Sequence, residues 1–136
     1  MPASAVPNIK RLAYFEKFFD PIAERTLAAR PDIELMRLHY DRPESDTWPE
    51  ISRAHGYQIQ PRGELRNPWF GDAALLRRCP SLLAISSSGA GYDMVDVDAC
   101  TAAGVNVCGF IWRKHIHNVF EFLLTLAQRD RSENIF

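Results

Sequence analysis

Leu82 to Gly104 reads L-L-A-I-S-S-S-G-A-G-Y-D-M-V-D-V-D-A-C-T-A-A-G, a strand, a loop and a helix in succession. Leu82–Ser86 is a nearly unbroken apolar run, as expected of a central parallel strand covered on both faces. It ends in the small residues Ser86-Ser87-Ser88-Gly89-Ala90-Gly91. Asp96 is placed to cap a helix that runs through Ala103, and Gly104 to terminate it. Val105–Cys108 then supplies another short strand.

Towards the N-terminus the same alternation repeats. Ile9–Phe15 reads as a first strand. Asp20-Pro21 opens a helix, with the aspartate as N-cap and the proline where its missing N–H costs nothing. That helix presents Ile22, Ala23 and Leu27 to one side and stops near Pro31. Ile33–Leu38 is a second strand, followed by a polar loop from Asp41 to Asp46. Thr47 and Glu50 have capping-box spacing for a short helix that Gly56 would stop. Tyr57–Gln60 is a weaker third strand because of its two glutamines. Asn67-Pro68 repeats the cap-then-proline device for a helix to Cys79, ended by Pro80.

Five strands separated by helices on short connections imply a parallel sheet covered on both faces, an α/β domain. Right-handed crossovers leave few doubly wound orders, and the expectation is the flavodoxin-like five-stranded order 2-1-3-4-5. The 136 residues suit one domain, and 46% apolar content is enough for a core. A net charge of −1, from 16 basic and 17 acidic side chains, gives no global field favouring nucleic acid or an anionic membrane. Met1–Lys10 has no signal-peptide pattern, and no run approaches the roughly 20 apolar residues of a membrane span. Cys79, Cys100 and Cys108 show no C-x-x-C pair and no metal spacing; they suit a reducing cytosol as small buried hydrophobes. No nucleic-acid or membrane partner and no metal is expected, and the expected location is cytoplasmic.

The loop carries the functional argument. It leaves a buried strand at the carboxyl edge of the sheet, where open α/β sheets bind ligands. Small side chains let a ligand approach the backbone, and glycines tolerate turns that point successive N–H groups one way. Such a nest suits a carboxylate or phosphate. Two or three charge-assisted hydrogen bonds would each contribute about 1.5–3 kcal/mol with water excluded. On the residues alone, a plain tight turn is the more frequent reading of such a loop, with the ligand site as the alternative.

The string S-S-G-A-G-Y-D-M-V-D-V-D-A-C-T-A-A-G-V-N-V-C resembles the signature segment of the D-isomer-specific 2-hydroxyacid dehydrogenases. The resemblance extends from Ile9 to Cys108 and is strongest from Cys79 onward. It implies that the backbone of Ser87, Ser88, Gly89, Ala90 and Gly91 holds the carboxylate of a small 2-hydroxy or 2-keto acid. It also implies structural roles for Tyr92-Asp93 and Val95-Asp96, and a cofactor, NAD or NADP, for the intact enzyme. Arg62, in Q-I-Q-P-R-G-E-L, falls at the same edge; it reads either as a substrate-facing residue or as a solvated loop arginine. Gly89-x-Gly91 before a helix imitates a dinucleotide fingerprint. The third glycine is absent, however, with Met94 in its place, and Gly109–Arg113 offers no ribose-binding acid.

Other residues have structural readings first. Tyr14, Phe15, Phe18 and Phe19 suit core or hinge packing before a cleft wall, and Trp48, Trp69 and Phe70 suit anchors for short helices. His115 and His117 lack a third ligand, and His39 and His55 read as surface residues.

After Cys108 the likeness fades: G-F-I-W-R-K-H-I-H-N-V-F-E-F-L-L-T-L-A-Q-R keeps only part of the family's long helix. The expected division is residues 1–108 as substrate-binding domain and 109–136 as a divergent C-terminal tail. On this reading the cofactor domain, with the catalytic residues, is absent, so the chain alone has no dehydrogenase activity and binds no cofactor. Val119, Phe120, Phe122, Leu123, Leu124 and Leu126 cover most sides of a helix that must fold back, self-associate or aggregate. The rival reading is a non-catalytic anion-binding or protein-assembly module of the same fold. A receiver-like signalling domain is set aside, because its acidic cluster and late lysine are not found.

Overall fold

The computed structural model describes residues 9–17, 21–59, 66–87 and 95–109. Five strands, β1 (Lys10–Phe15), β2 (Ile33–Leu38), β3 (Gly56–Ile59), β4 (Ala84–Ser87) and β5 (Asn106–Gly109), form one parallel sheet in the order β2-β1-β3-β4-β5. Four helices connect them: α1 (Pro21–Ala28), α2 (Glu44–Ile51), α3 (Ala73–Arg78) and α4 (Val97–Ala103). The expected order and the helices on both faces are present.

Strand alternation divides the sheet. Ala13, Phe15, Leu38, Tyr57, Ile59 and Ile85 point to one face, where they pack with Trp48 and Ile51 of α2, Leu75 and Leu76 of α3 and Cys100 of α4. Aromatic rings dominate there. Phe15 stacks on Tyr40 at 4.6 Å and lies 5.2 Å from Trp69, whose centroid is 4.6 Å from that of Trp48. The tryptophans and Phe70 act as the expected anchors. Leu12, Tyr14, Gln58 and Ser86 alternate to the other face, towards α1. There the Tyr14 hydroxyl donates to Glu24 Oε2 at 3.1 Å, and Leu27 of α1 is fully buried.

The best-predicted helix is α4. Asp96 is its N-cap, its carboxylate accepting the Ala99 N–H at 3.0 Å, and Gly104 closes it at φ 75°. The αL geometry is one that a Cβ would oppose. The pattern also placed β2 at its observed limits, while β1, β4 and β5 differ by one or two residues at their ends, and α1 stops at Ala28, before Pro31.

Three local expectations fail. Thr47 and Glu50 do not form a capping box: α2 begins at Glu44 after Pro43, and the buried Thr47 hydroxyl donates back to the Pro43 carbonyl at 3.4 Å. The earlier start puts Glu44 and Asp46 in the first turn, favourable for the helix dipole, and turns Trp48 and Ile51 inward. Gly56 does not stop α2, which ends near Ser52. It opens β3 between Leu12 and Ala84, one residue ahead of the expected strand, and Gln60 lies outside the described residues. Asn67-Pro68, a cis peptide, does not start α3. The buried Tyr57 hydroxyl takes the Trp69 carbonyl at 2.7 Å, which commits that oxygen, and Asp72 caps α3 through the Leu75 N–H at 3.0 Å.

Burial pushes the Cys79 thiol up to about 12 and that of Cys100 to about 11, so both behave as apolar side chains. Among the described residues no helix is long and apolar enough to cross a membrane, and no group of His, Cys, Asp and Glu could hold a metal ion.

Candidate functional site

Because every strand pairing is parallel, the carboxyl ends of all five strands, Phe15, Leu38, Ile59, Ser87 and Gly109, lie on one edge. Ser87 closes β4, paired with Ile59 of β3 on one side and Gly109 of β5 on the other. Ser88, Gly89, Ala90, Gly91 and Arg62 lie outside the described residues, as do Asp20, Phe18, Phe19, His115, His117 and the 110–136 tail. What is described is the frame that holds the loop's ends. It leaves from Ser87 in the middle of the sheet and returns at Val95, which bridges Gly71, and the Asp96 N–H donates to the Gly71 carbonyl at 2.8 Å. Gly71 belongs to the connection from β3 to α3, so the return of the β4 loop is tied to the chain that follows the Arg62 segment.

The electrostatics at the return are anionic. Asp96 occupies the N-terminus of α4 and Asp98 lies in its first turn. A pyrophosphate seated on that helix would meet two carboxylates instead of free N–H groups, so the residues present do not fit a dinucleotide there.

Strand composition did not reveal the rim at the ends of β1 and β2. Glu16, at φ 63°, turns its carboxylate back to accept the Tyr40 N–H at 2.7 Å, with His39 Nδ1 at 3.2 Å. The Tyr40 hydrogen bond chiefly, with His39 and the nearby Arg66 guanidinium, holds the Glu16 carboxyl below its ordinary range. Arg66 lies over the Tyr40 ring, 4.9 Å from its centroid, and so brings a cation to this edge from the β3–α3 connection. A positive φ at a glutamate has no sequence signal. Of the two histidines expected on the surface, His39 is half-exposed, whereas His55 is structural: its Nδ1 accepts the Arg11 N–H at 2.9 Å, and its carbonyl accepts from Leu83 at 2.7 Å. Just below the edge, Gln58 and Ser86 are buried polar residues on neighbouring strands.

The family model of the D-isomer specific 2-hydroxyacid dehydrogenase catalytic domain matches residues 14–110. The chain belongs to this family. Solved structures agree with that placement at the level of fold. A 2-hydroxyacid dehydrogenase from Ketogulonicigenium vulgare is similar at TM-score 0.57 and 24% identity, over 76% of this chain and 30% of that one. A glyoxylate reductase from Paecilomyes thermophila is similar at TM-score 0.60 and 18% identity, over 79% and 33%. An NAD+-bound 3-phosphoglycerate dehydrogenase from Entamoeba histolytica is similar at TM-score 0.57 and 19% identity, over 74% and 32%. The chain thus spans about a third of the length of these dehydrogenases. No curated protein sequence matches it.

Proposed function

We propose that this chain is the substrate-binding unit of an NAD(P)-dependent D-2-hydroxyacid dehydrogenase. The backbone of Ser87, Ser88, Gly89, Ala90 and Gly91 receives the carboxylate of a small 2-hydroxy or 2-keto acid, and Arg62 faces the same ligand. The observation that carries the reading is the location of this family signature: it starts from the end of a central strand on the carboxyl edge, and its return is anchored by Val95 and Asp96. Ligands of open parallel sheets collect at that edge.

Reaction at the 2-position needs a hydride donor or acceptor, which NAD(H) or NADP(H) supplies in a complete enzyme. The carboxylates of Asp96 and Asp98 at the nearest helix N-terminus speak for a cofactor seat elsewhere. This chain's part is to hold the acid by its carboxylate and fix the direction of its C2. Residues 1–108 form the binding unit, with 109–136 a divergent tail whose apolar helix pairs with another surface. Taken by themselves, these residues touch the acid from one side, so their own binding is weak, millimolar at best, because a ligand held on one side stays largely solvated.

The test is a titration of the purified chain with pyruvate or hydroxypyruvate, following the backbone amides of residues 87–91 by NMR. Saturable shifts confined to those amides, and absent with NAD+, are expected. No response up to tens of millimolar would overturn the assignment of the loop. Arg62→Ala separates its role: weaker binding with the loop shifts retained marks Arg62 as a ligand contact, and unchanged affinity returns it to the solvent.

A further inference from the structure

Two side chains beneath the carboxyl edge hold buried polar atoms that have no hydrogen-bond partner among the described residues. Gln58 is 2% exposed and Ser86 fully buried, and Gln58 Oε1 and Ser86 Oγ are both unpartnered. They are register partners on β3 and β4. Their side chains therefore share the α1-side face, one strand spacing of about 4.8 Å apart.

The amide orientation is set by the backbone. Gln58 Nε2 donates to the Ile59 carbonyl at 3.3 Å, and the reversed amide would set two oxygens against each other. Oε1 is thus an acceptor in need of a donor. The Ser86 hydroxyl can donate once and accept twice. Buried acceptors and hydroxyls of native proteins nearly always find a partner, and where protein atoms supply none, an internal water commonly does.

We propose that Gln58 and Ser86 hold one internal water molecule, which bridges β3 and β4 directly beneath the loop that starts at Ser87. The water donates one hydrogen to Gln58 Oε1 and shares a second hydrogen bond with Ser86 Oγ, the two partners that an internal water needs at minimum. Each residue stands one place before the end of its strand. The bridge therefore ties together the two strand ends from which the Arg62 segment and the Ser87–Gly91 loop depart. Gln58 and Ser86 are positioning residues: they act on the strand ends and make no contact with ligand. The proposal stands whether or not the loop takes a keto acid.

A high-resolution crystal structure of the unaltered chain tests occupancy. A density peak within hydrogen-bond reach of both Oε1 and Oγ is expected, and a dry site with the two atoms bonded directly would overturn the proposal. A double-mutant cycle of Gln58→Met and Ser86→Ala, read from urea unfolding, tests the tie. If both residues share one water, their effects are non-additive by roughly three- to tenfold in the unfolding equilibrium constant. Additive effects, even with a peak present, would mean that the water does not connect the strands and would sink the positioning role.

Discussion

The two faces of this sheet are built on different terms. On the face covered by α2, α3 and α4, large rings interlock, and the buried Tyr57 hydroxyl donates to the Trp69 carbonyl at 2.7 Å. On the α1 side the same two central strands carry Gln58 and Ser86, whose buried Oε1 and Oγ atoms have no hydrogen-bond partner among the described residues. The aromatic layer specifies how the strands sit, whereas the polar side chains near their carboxyl ends leave hydrogen-bonding capacity just below the loops that depart from that edge.

The largest effect that separates the faces is truncation of the aromatic layer. Phe15 is fully buried and touches the rings of Tyr40, Tyr57 and Trp69. Phe15→Ala is expected to lose about 3–5 kcal/mol of unfolding free energy, read from urea midpoints, and Leu27→Ala on the opposite side nearer 2 kcal/mol. The reverse order would break the comparison.

Tyr57→Phe is a finer probe, since it keeps the ring and removes only the hydroxyl. It leaves the Trp69 carbonyl without its donor and is expected to cost about 1–3 kcal/mol. A neutral result would mean that water replaces the hydroxyl, and that the aromatic face is less dry than its packing indicates. Asp96→Ala should cost about 1 kcal/mol by removing the cap on the Ala99 N–H. Because Asp96 also ends the return of the β4 loop, exchange of the Val95 and Asp96 amides should accelerate more than that of β2. Uniform acceleration would show that the loop return is not separately anchored.

How much of this was legible follows from how local each signal is. Asp96 and Gly104 announced α4 correctly because a cap and an αL stop act within a few residues of the bonds they satisfy. Ile33–Leu38 and the sheet order were legible because β-rich runs and short crossovers leave few arrangements. Asn67-Pro68 misled because the competing claim on that segment comes from Tyr57, on a strand distant in sequence. Thr47 and Gly56 misled for the same reason: Trp48 and Ile51 had to face the core, and Leu12 and Ala84 needed a partner strand between them. For the site, the signature from Ser87 to Gly91 was visible as text. The Glu16–Tyr40–Arg66 rim was not, since it is assembled from three connections by a backbone turn at positive φ.

That rim gives the smallest and most specific effect. Glu16 belongs to neither face; it closes the carboxyl edge at β1, where the Tyr40 N–H, His39 and Arg66 all favour its ionised form. A carboxyl held below its unfolded value of 4.5 adds stability that is fully present above that pH. The contribution disappears as pH falls through the lower, folded value. Glu16 is exposed over 46% of its side chain, so solvent screens the interaction and the effect is modest. Glu16→Gln keeps the shape and an acceptor for the Tyr40 N–H while removing the charge. The stability gap between the unaltered chain and this variant should therefore be widest near neutral pH, narrow as the pH falls below 4.5 through the lower folded value, and shrink in high salt. A gap that stays constant with pH would assign the rim to backbone geometry alone and leave Arg66 without an electrostatic part in it.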